Sequence, residues 1–302
     1  MGQLIAMCYP TKLFLNAADH TYVRCCTTGK KAWGCWGGKA RGTPLRSGLG
    51  STARADAIAG SDERAGISCY LINGVCHQAA NRIMLPAGIT VMGARGYGVS
   101  EALFGTYGRP RGFLGLCNAP FNQYSNVTGD LAECVAEPAI PKPRGLMSFK
   151  TVPQEEDKKH RAYLDGVLKI YAKTEFISNI KSLIAGRDLE EFHVELFAHQ
   201  TKFRLGAQMK ETLASKLQDI RRSTERSRMK IEDYYTRKQL KLNEFVDEFN
   251  RETKVFQHAI AGVLSPKQYK ALFGLAPGET IVLADPDIVK NAFSQKLKRL
   301  ES

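Results

Sequence analysis

Cysteine and histidine are the residues of this chain best suited to nucleophilic or metal chemistry, and both are unevenly spread. All eight cysteines (8, 25, 26, 35, 69, 76, 117 and 134) precede residue 150, with only two of the six histidines, His20 and His77. Cys76 stands out. It follows an apolar segment and an Asn73-Gly74 corner, and Ala79, Ala80, Ile83 and Met84 behind it have the spacing of a helix with one buried face. A cysteine in the first turn of a helix lies beside unpaired backbone N–H groups and the positive end of the helix dipole, and both favour the thiolate. The alternative is that Cys76 is a small buried hydrophobe, as most free cysteines are.

A thiolate nucleophile needs a basic partner. His77 follows Cys76 on the same helix and projects about 100° away from it. His20 opens Thr21–Cys25, which alternates as a strand should, and is free to meet Cys76 in space. The expected catalytic pair is therefore Cys76 with His20. Gln78, Asn81, Asn73 and His77 are candidates to orient the imidazole or to stabilise an oxyanion. The cysteines contain no Cys-x-x-Cys pair and match no familiar zinc spacing, so neither a metal nor another cofactor is expected. Gly93-x-x-Gly96-x-Gly98 lacks the strand and helix context of a dinucleotide loop.

The elements that would position these residues follow in order. Residues 3–15 begin as strand or loop. Thr21–Cys25 and Ala32–Trp36 form a hairpin across Gly29-Lys30-Lys31. Residues 37–51 read as a Gly- and Arg-rich loop and 52–64 as a short helix. Ile89–Tyr97 reads as a strand, and Val99–Phe104 as a helical turn or strand. Arg95, Arg109 and Arg111 are a basic rim. The Pro-rich stretch 137–145 marks a change in composition. Beyond it the pattern is helical, over 154–184 and 188–215 and on to 262, with a single very long helix as an alternative. The Thr224–Lys230 stretch reads as a solvated charged face. Ser265-Pro266 starts another helix, with an extended piece over 278–286 and a last helix over 286–300. The expected fold class is α+β. A domain with a small antiparallel sheet and a Cys-headed helix occupies 1–140, a linker 141–152, and an α-helical, partly coiled-coil region 153–302.

Taken together, the His-bearing strand, second strand, apolar lead-in Tyr70-Leu71-Ile72 and Cys-headed helix Gly74-Val75-Cys76-His77-Gln78-Ala79-Ala80 resemble the circularly permuted papain-like group. That group includes the lecithin:retinol acyltransferase family and related bacterial amidases. The similarity covers roughly residues 15–90, with Val75 standing where the group has Asn. It implies a papain-like fold and a cysteine-dependent hydrolase or acyltransferase, in which Cys76 attacks an amide or ester carbonyl and His20 moves the proton.

Net charge is +13; residues 1–150 carry 16 Lys and Arg against 8 Asp and Glu, and the remainder 27 against 22. The balance suits anionic partners without naming one. The expected substrate is a protein or peptide, peptidoglycan included, as for a bacterial effector or cell-wall amidase. Nucleic acid is the weaker expectation. The helices are expected to pair with a second copy or a partner helix. The rival expectation is a non-enzymatic helical assembly whose basic domain binds an anionic partner. No transmembrane run and no basic-then-apolar leader is evident, so the expected location is cytoplasmic, or outside the cell by a route without a Sec signal.

Overall fold

In the computed structural model the described residues are 1–10, 17–25, 32–34, 42–65, 71, 74–108, 154–179, 186–206 and 209–284. The expected linker 141–152, Asn73, Arg109, Arg111 and the expected helix over 286–300 lie outside them. The fold is α+β. Four strands, β1 (Gly2–Tyr9), β2 (His20–Cys25), β3 (Ala32–Trp33) and β4 (Thr43–Gly50), form an antiparallel sheet in the order β3-β2-β1-β4.

The helices described are α1 (Thr52–Ala65), α2 (Cys76–Ile83), α3 (Tyr97–Phe104), α4 (Gln154–Asn179), α5 (Gly186–Leu205), α6 (Glu211–Thr236), α7 (Leu242–Ala261) and α8 (Pro266–Phe273). No helix among the described residues is long and apolar enough to cross a membrane.

Alternation along the strands separates two faces. Leu4, Ala6 and Cys8 of β1 and Val23 and Cys25 of β2 join Ala55 and Ile58 of α1, Ala80 and Ile83 of α2, and Tyr163, Leu164, Phe192 and Leu196 from α4 and α5 in one core. Ile5, Met7 and Tyr22 gather on the other face. A second core joins Val99, Leu103 and Phe104 of α3 to Phe197, Phe245, Phe249, Phe256 and Phe273. Both cores thus combine residues from either side of the Pro-rich stretch. The division at 141–152 describes the order of elements along the chain, while the buried apolar surface crosses it.

Several expectations need correction. Residues 43–50 form β4 and not a loop. Thr-Pro-Leu-Arg-Ser-Gly-Leu-Gly shows no apolar alternation; its place comes from pairing with β1. Gly48 and Gly50 fit because a Cβ there would press on the backbone of Ala87 and Pro86. Residues 89–96 make turns and an isolated Met92–Ala94 bridge, and the helix starts at Tyr97. The single long helix is excluded by left-handed backbone at Gly206 (φ 66°) and Lys238 (φ 59°), which separate α5, α6 and α7. Along α7, Phe249, Phe256 and Ile260 are buried, whereas Val255 is 51% exposed. The Ser265 start is found as read: the Ser265 hydroxyl accepts from the Gln268 N–H, and the Gln268 side chain accepts from the Ser265 N–H at 2.9 Å.

The charged stretch of α6 is solvated only in part: Arg226 and Lys230 are exposed, but its other face is buried. Arg221, Glu225, Arg228 and Glu232 repeat at helical spacing and are all buried. Arg221 and Arg228 face α3, whose eight residues are all buried. Arg221 donates to the carbonyls of Ala102 and Leu103 at 2.8 Å each, and Arg228 to that of Leu103 at 2.6 Å. These carbonyls belong to the last turn of α3, which has no intrahelical donors to offer them. Glu225 neutralises both guanidinium groups, at 2.7 Å from Arg221 and 3.4 Å from Arg228. The Arg228 guanidinium also sits over the Phe104 ring, 4.4 Å from its centre.

On the other flank of α3, the Glu101 carboxylate accepts from the Tyr97 hydroxyl (2.6 Å), the Tyr163 hydroxyl (2.9 Å), the Thr106 hydroxyl (3.0 Å), Gln200 (3.2 Å) and Arg204 (3.3 Å). Burial, and after it the Glu101 charge, holds the Tyr97 and Tyr163 phenols well above the usual tyrosine range, so both remain donors.

Removing one member of a buried, charged network leaves its partner's charge uncompensated. Arg221→Ala is expected to destabilise the fold by about 3–5 kcal/mol. Arg251→Ala, which breaks an exposed pair with Glu248, is expected to cost about 0–1 kcal/mol. Urea midpoints of the two variants check the contrast.

His160 carries a pH dependence. Its ring lies buried near Tyr163 and Phe203, with Nε2 3.3 Å from the Thr90 hydroxyl. Burial, then the charges of Arg46 and Arg204, push it down to about 3. Below the ordinary histidine value the unfolded chain takes up a proton that the folded chain refuses. Stability therefore falls as pH drops from about 6.5 towards about 3, by at most about 1.4 kcal/mol per pH unit. A His160→Met variant is expected to show a shallower loss of stability across that range in urea titrations at stepped pH.

Candidate active site

Helix α2 begins where the sequence places it. Gly74 takes φ 148°, and a Cβ there would strike the Gln78 side chain. That close approach lets Gln78 Oε1 accept from the Val75 N–H at 3.0 Å, tying down the entry to the helix. Cys76 is the first helical residue, so its own N–H is among those that the helix leaves without an intrahelical acceptor.

The Cys76 thiol donates to the carbonyl of Asp19 across 3.7 Å, placing the nucleophile candidate against the residue before His20. His77 reaches the same oxygen: its Nε2 is 3.0 Å from Asp19 O, and its Nδ1 is 2.7 Å from the Ser100 hydroxyl. A carbonyl can only accept, so Nε2 carries a proton, while Nδ1 faces a Ser100 hydroxyl whose single proton also has the Tyr97 carbonyl as acceptor at 2.9 Å. Projection around the helix predicts that His77 turns away from Cys76. The structure instead brings both side chains to one oxygen atom, because the chain at Asp19 crosses the mouth of α2.

His20 begins β2 opposite Tyr9, with the two rings 5.0 Å apart. Alternation gives it the sheet face of Tyr22, whereas Val23 and Cys25 take the face shared with α2. The ring is 2% exposed, and its Nε2 has no hydrogen-bond partner among the described residues. Gln78 and Asn81, the remaining candidates among the described residues, both bond backbone groups. Gln78 Nε2 donates to Gly105 O at 3.1 Å. Asn81 donates to Thr106 O at 2.7 Å and accepts from the Val91 N–H at 2.8 Å. Both hold the loops flanking α3 and lie away from the Cys76–Asp19 contact in their bonding.

The residue that sequence reasoning missed is Asp19. Its N–H donates to Arg95 O (3.0 Å), its carboxylate accepts from the Arg95 N–H (2.9 Å), and its carbonyl receives Cys76 and His77. An acidic residue ahead of a strand is a common turn signal, so nothing local distinguishes it. Arg95, expected in a basic rim, pairs through its side chain with Glu279. Gly96 and Gly98 prove to be close-packing positions: a Cβ at Gly96 would strike Ile281 and Ala18, and one at Gly98 would strike the backbone of Leu272 and Phe273.

Comparison with known proteins finds no matching family model, no similar curated protein and no similar solved structure.

The cysteines differ in environment. Burial, then the Asp19 charge, pushes the Cys8 thiol up to about 11. Near neutral pH the thiolate is the species that alkylates, so iodoacetamide is expected to leave Cys8 unmodified in the folded chain. Peptide mass mapping after a timed dose checks this.

Proposed function

We propose that the chain is a cysteine-dependent hydrolase or acyltransferase acting on an amide bond, with Cys76 as nucleophile and His20 as base. The observation that carries this reading is the contact of a helix-initial cysteine with the Asp19 carbonyl, one residue from a histidine whose Nε2 has no hydrogen-bond partner among the described residues. His77, with both nitrogens engaged, suits a positioning role. The resemblance to the permuted papain-like group supports the same assignment.

In the resting arrangement the thiol proton points to Asp19. Reaction requires Sγ to leave that oxygen and the His20 ring, which packs on Tyr9 on the sheet face away from α2, to be brought across by a rearrangement of the Asp19–His20 backbone, so that Nε2 takes the proton. The thiolate then attacks the amide carbonyl. The oxyanion forms beside the Cys76 N–H, and His20 returns its proton to the departing amine. Water, or an acceptor amine or alcohol, next attacks the thioester and restores the thiol. The favoured substrate is a protein or peptide, and the basic charge of the chain favours acidic ones.

A second reading has its own observation. The polar side chains of His77, Gln78 and Asn81 are all spent on internal bonds, as in a purely structural helix. On that reading the chain is a helical interaction protein with an anionic partner.

The two readings give opposite results. For the enzyme, Cys76→Ala is expected to abolish peptide-amide turnover, and His20→Ala to reduce it by about 10²-fold or more. Cys76 should also alkylate faster than Cys8 near neutral pH. Full turnover by either variant would overturn the assignment. Steeply salt-dependent binding with an inert Cys76 supports the interaction protein instead.

A further inference from the structure

The segment after α8 reaches the candidate site through a set of backbone bonds that the activity does not by itself require. Residues 279–284 run extended along α7. Two side-chain amides on α7, seven residues apart and therefore on one face, each pair twice with this main chain. Gln257 donates to Ile281 O at 2.8 Å and accepts from the Ile281 N–H at 2.9 Å. Asn250 donates to Ala284 O at 2.9 Å and accepts from the Ala284 N–H at 3.2 Å. A carboxamide used in this way presents one donor and one acceptor side by side, as a neighbouring strand would, and holds the segment whatever its side chains.

The opposite edge of the segment holds the approach to the site. Val282 O accepts from the Ala18 N–H at 3.1 Å, and the Glu279 carboxylate pairs with the Arg95 side chain. Tyr269 fixes Glu279 from behind through a 2.8 Å bond to its carbonyl. Arg95 in turn grips Asp19 through its own backbone, its carbonyl accepting from the Asp19 N–H and its N–H donating to the Asp19 carboxylate, and Asp19 carries the oxygen on which Cys76 and His77 converge.

We infer that Gln257 and Asn250 are positioning residues of the Cys76 site, acting through the 279–284 segment on Ala18, Arg95 and Asp19. The inference rests on the thiol-enzyme reading for its functional consequence, and on the hydrogen bonds above for the coupling itself. It makes the C-terminal half part of the site and not an appendage to it. An S–H donated to a carbonyl favours the protonated thiol. Loosening Asp19 is therefore expected to free the thiol from that bond and to let alkylation begin at lower pH.

The test uses the full-length chain with Gln257→Leu, which keeps bulk and removes both bonds, and Asn250→Leu and Glu279→Gln as milder variants. Leu264→Ala, in the same core but without a bond to the segment, controls for general destabilisation. Amide exchange at Ala18 and Asp19 is expected to accelerate by about tenfold or more in Gln257→Leu relative to Leu264→Ala, when the two are compared at equal loss of melting temperature. The pH profile of Cys76 alkylation should shift downward only in the segment variants. Unchanged exchange at both amides, or an equal shift in Leu264→Ala, overturns the inference. Accelerated exchange together with full turnover by Cys76→Ala overturns the thiol reading alone and leaves the coupling established.

Discussion

A short helix buried on every side creates the constraint on which the rest of this structure depends. The last carbonyls of α3 have no water to turn to, and its Glu101 carboxylate lies in the interior. Each unmet group would cost on the order of 1–3 kcal/mol, and more for a charge. The chain meets the requirement with distant donors: Arg221 and Arg228 on α6 for the carbonyls, and Tyr163, Gln200 and Arg204 on α4 and α5 for the carboxylate. This polar network fixes the helices around α3 in one arrangement, because any slippage would strand several buried groups together.

The candidate site is built against the same helix, through Ser100 in its middle and the loop that follows it. Ser100 of α3 bonds His77, and Gln78 and Asn81 bond the loop that leaves α3. Helix α2 is thereby seated between α3 and the sheet with Cys76 at its mouth. Asp19 crosses that mouth, and its backbone is held from the far side by Arg95 and by the segment after α8. The nucleophile candidate is thus placed by contacts drawn from both ends of the chain. That explains why both apolar cores ignore the change in composition near residue 150.

Local elements with strong signals were legible. The Asn-Gly corner and apolar spacing gave α2 its start at Cys76. Ser265-Pro266 gave α8 its cap, and Thr52–Ala65 formed the expected helix. Strand β4 was not legible, because its residues have no alternation of their own and are ordered by pairing with β1. The split between α6 and α7 was hidden because Lys238 adopts a left-handed conformation that lysine does not advertise. The 4-3-4 spacing of Arg221, Glu225, Arg228 and Glu232 was present in the sequence. It reads equally well as an exposed ladder of ion pairs, and only the presence of α3 turns it inward.

The sequence by itself determined the α+β class and the helix that opens at Cys76. Periodicity and capping are local, so they can be read from neighbours in the chain. Only the tertiary structure decided that Cys76 and His77 share the Asp19 carbonyl, that His20 alternates onto the Tyr9 face, and that Gln257 and Asn250 brace the approach from residues 279–284. Those arrangements depend on which groups lie across from one another in space, and a bond such as that from Cys76 to Asp19, 57 residues away, leaves no periodic trace in the chain.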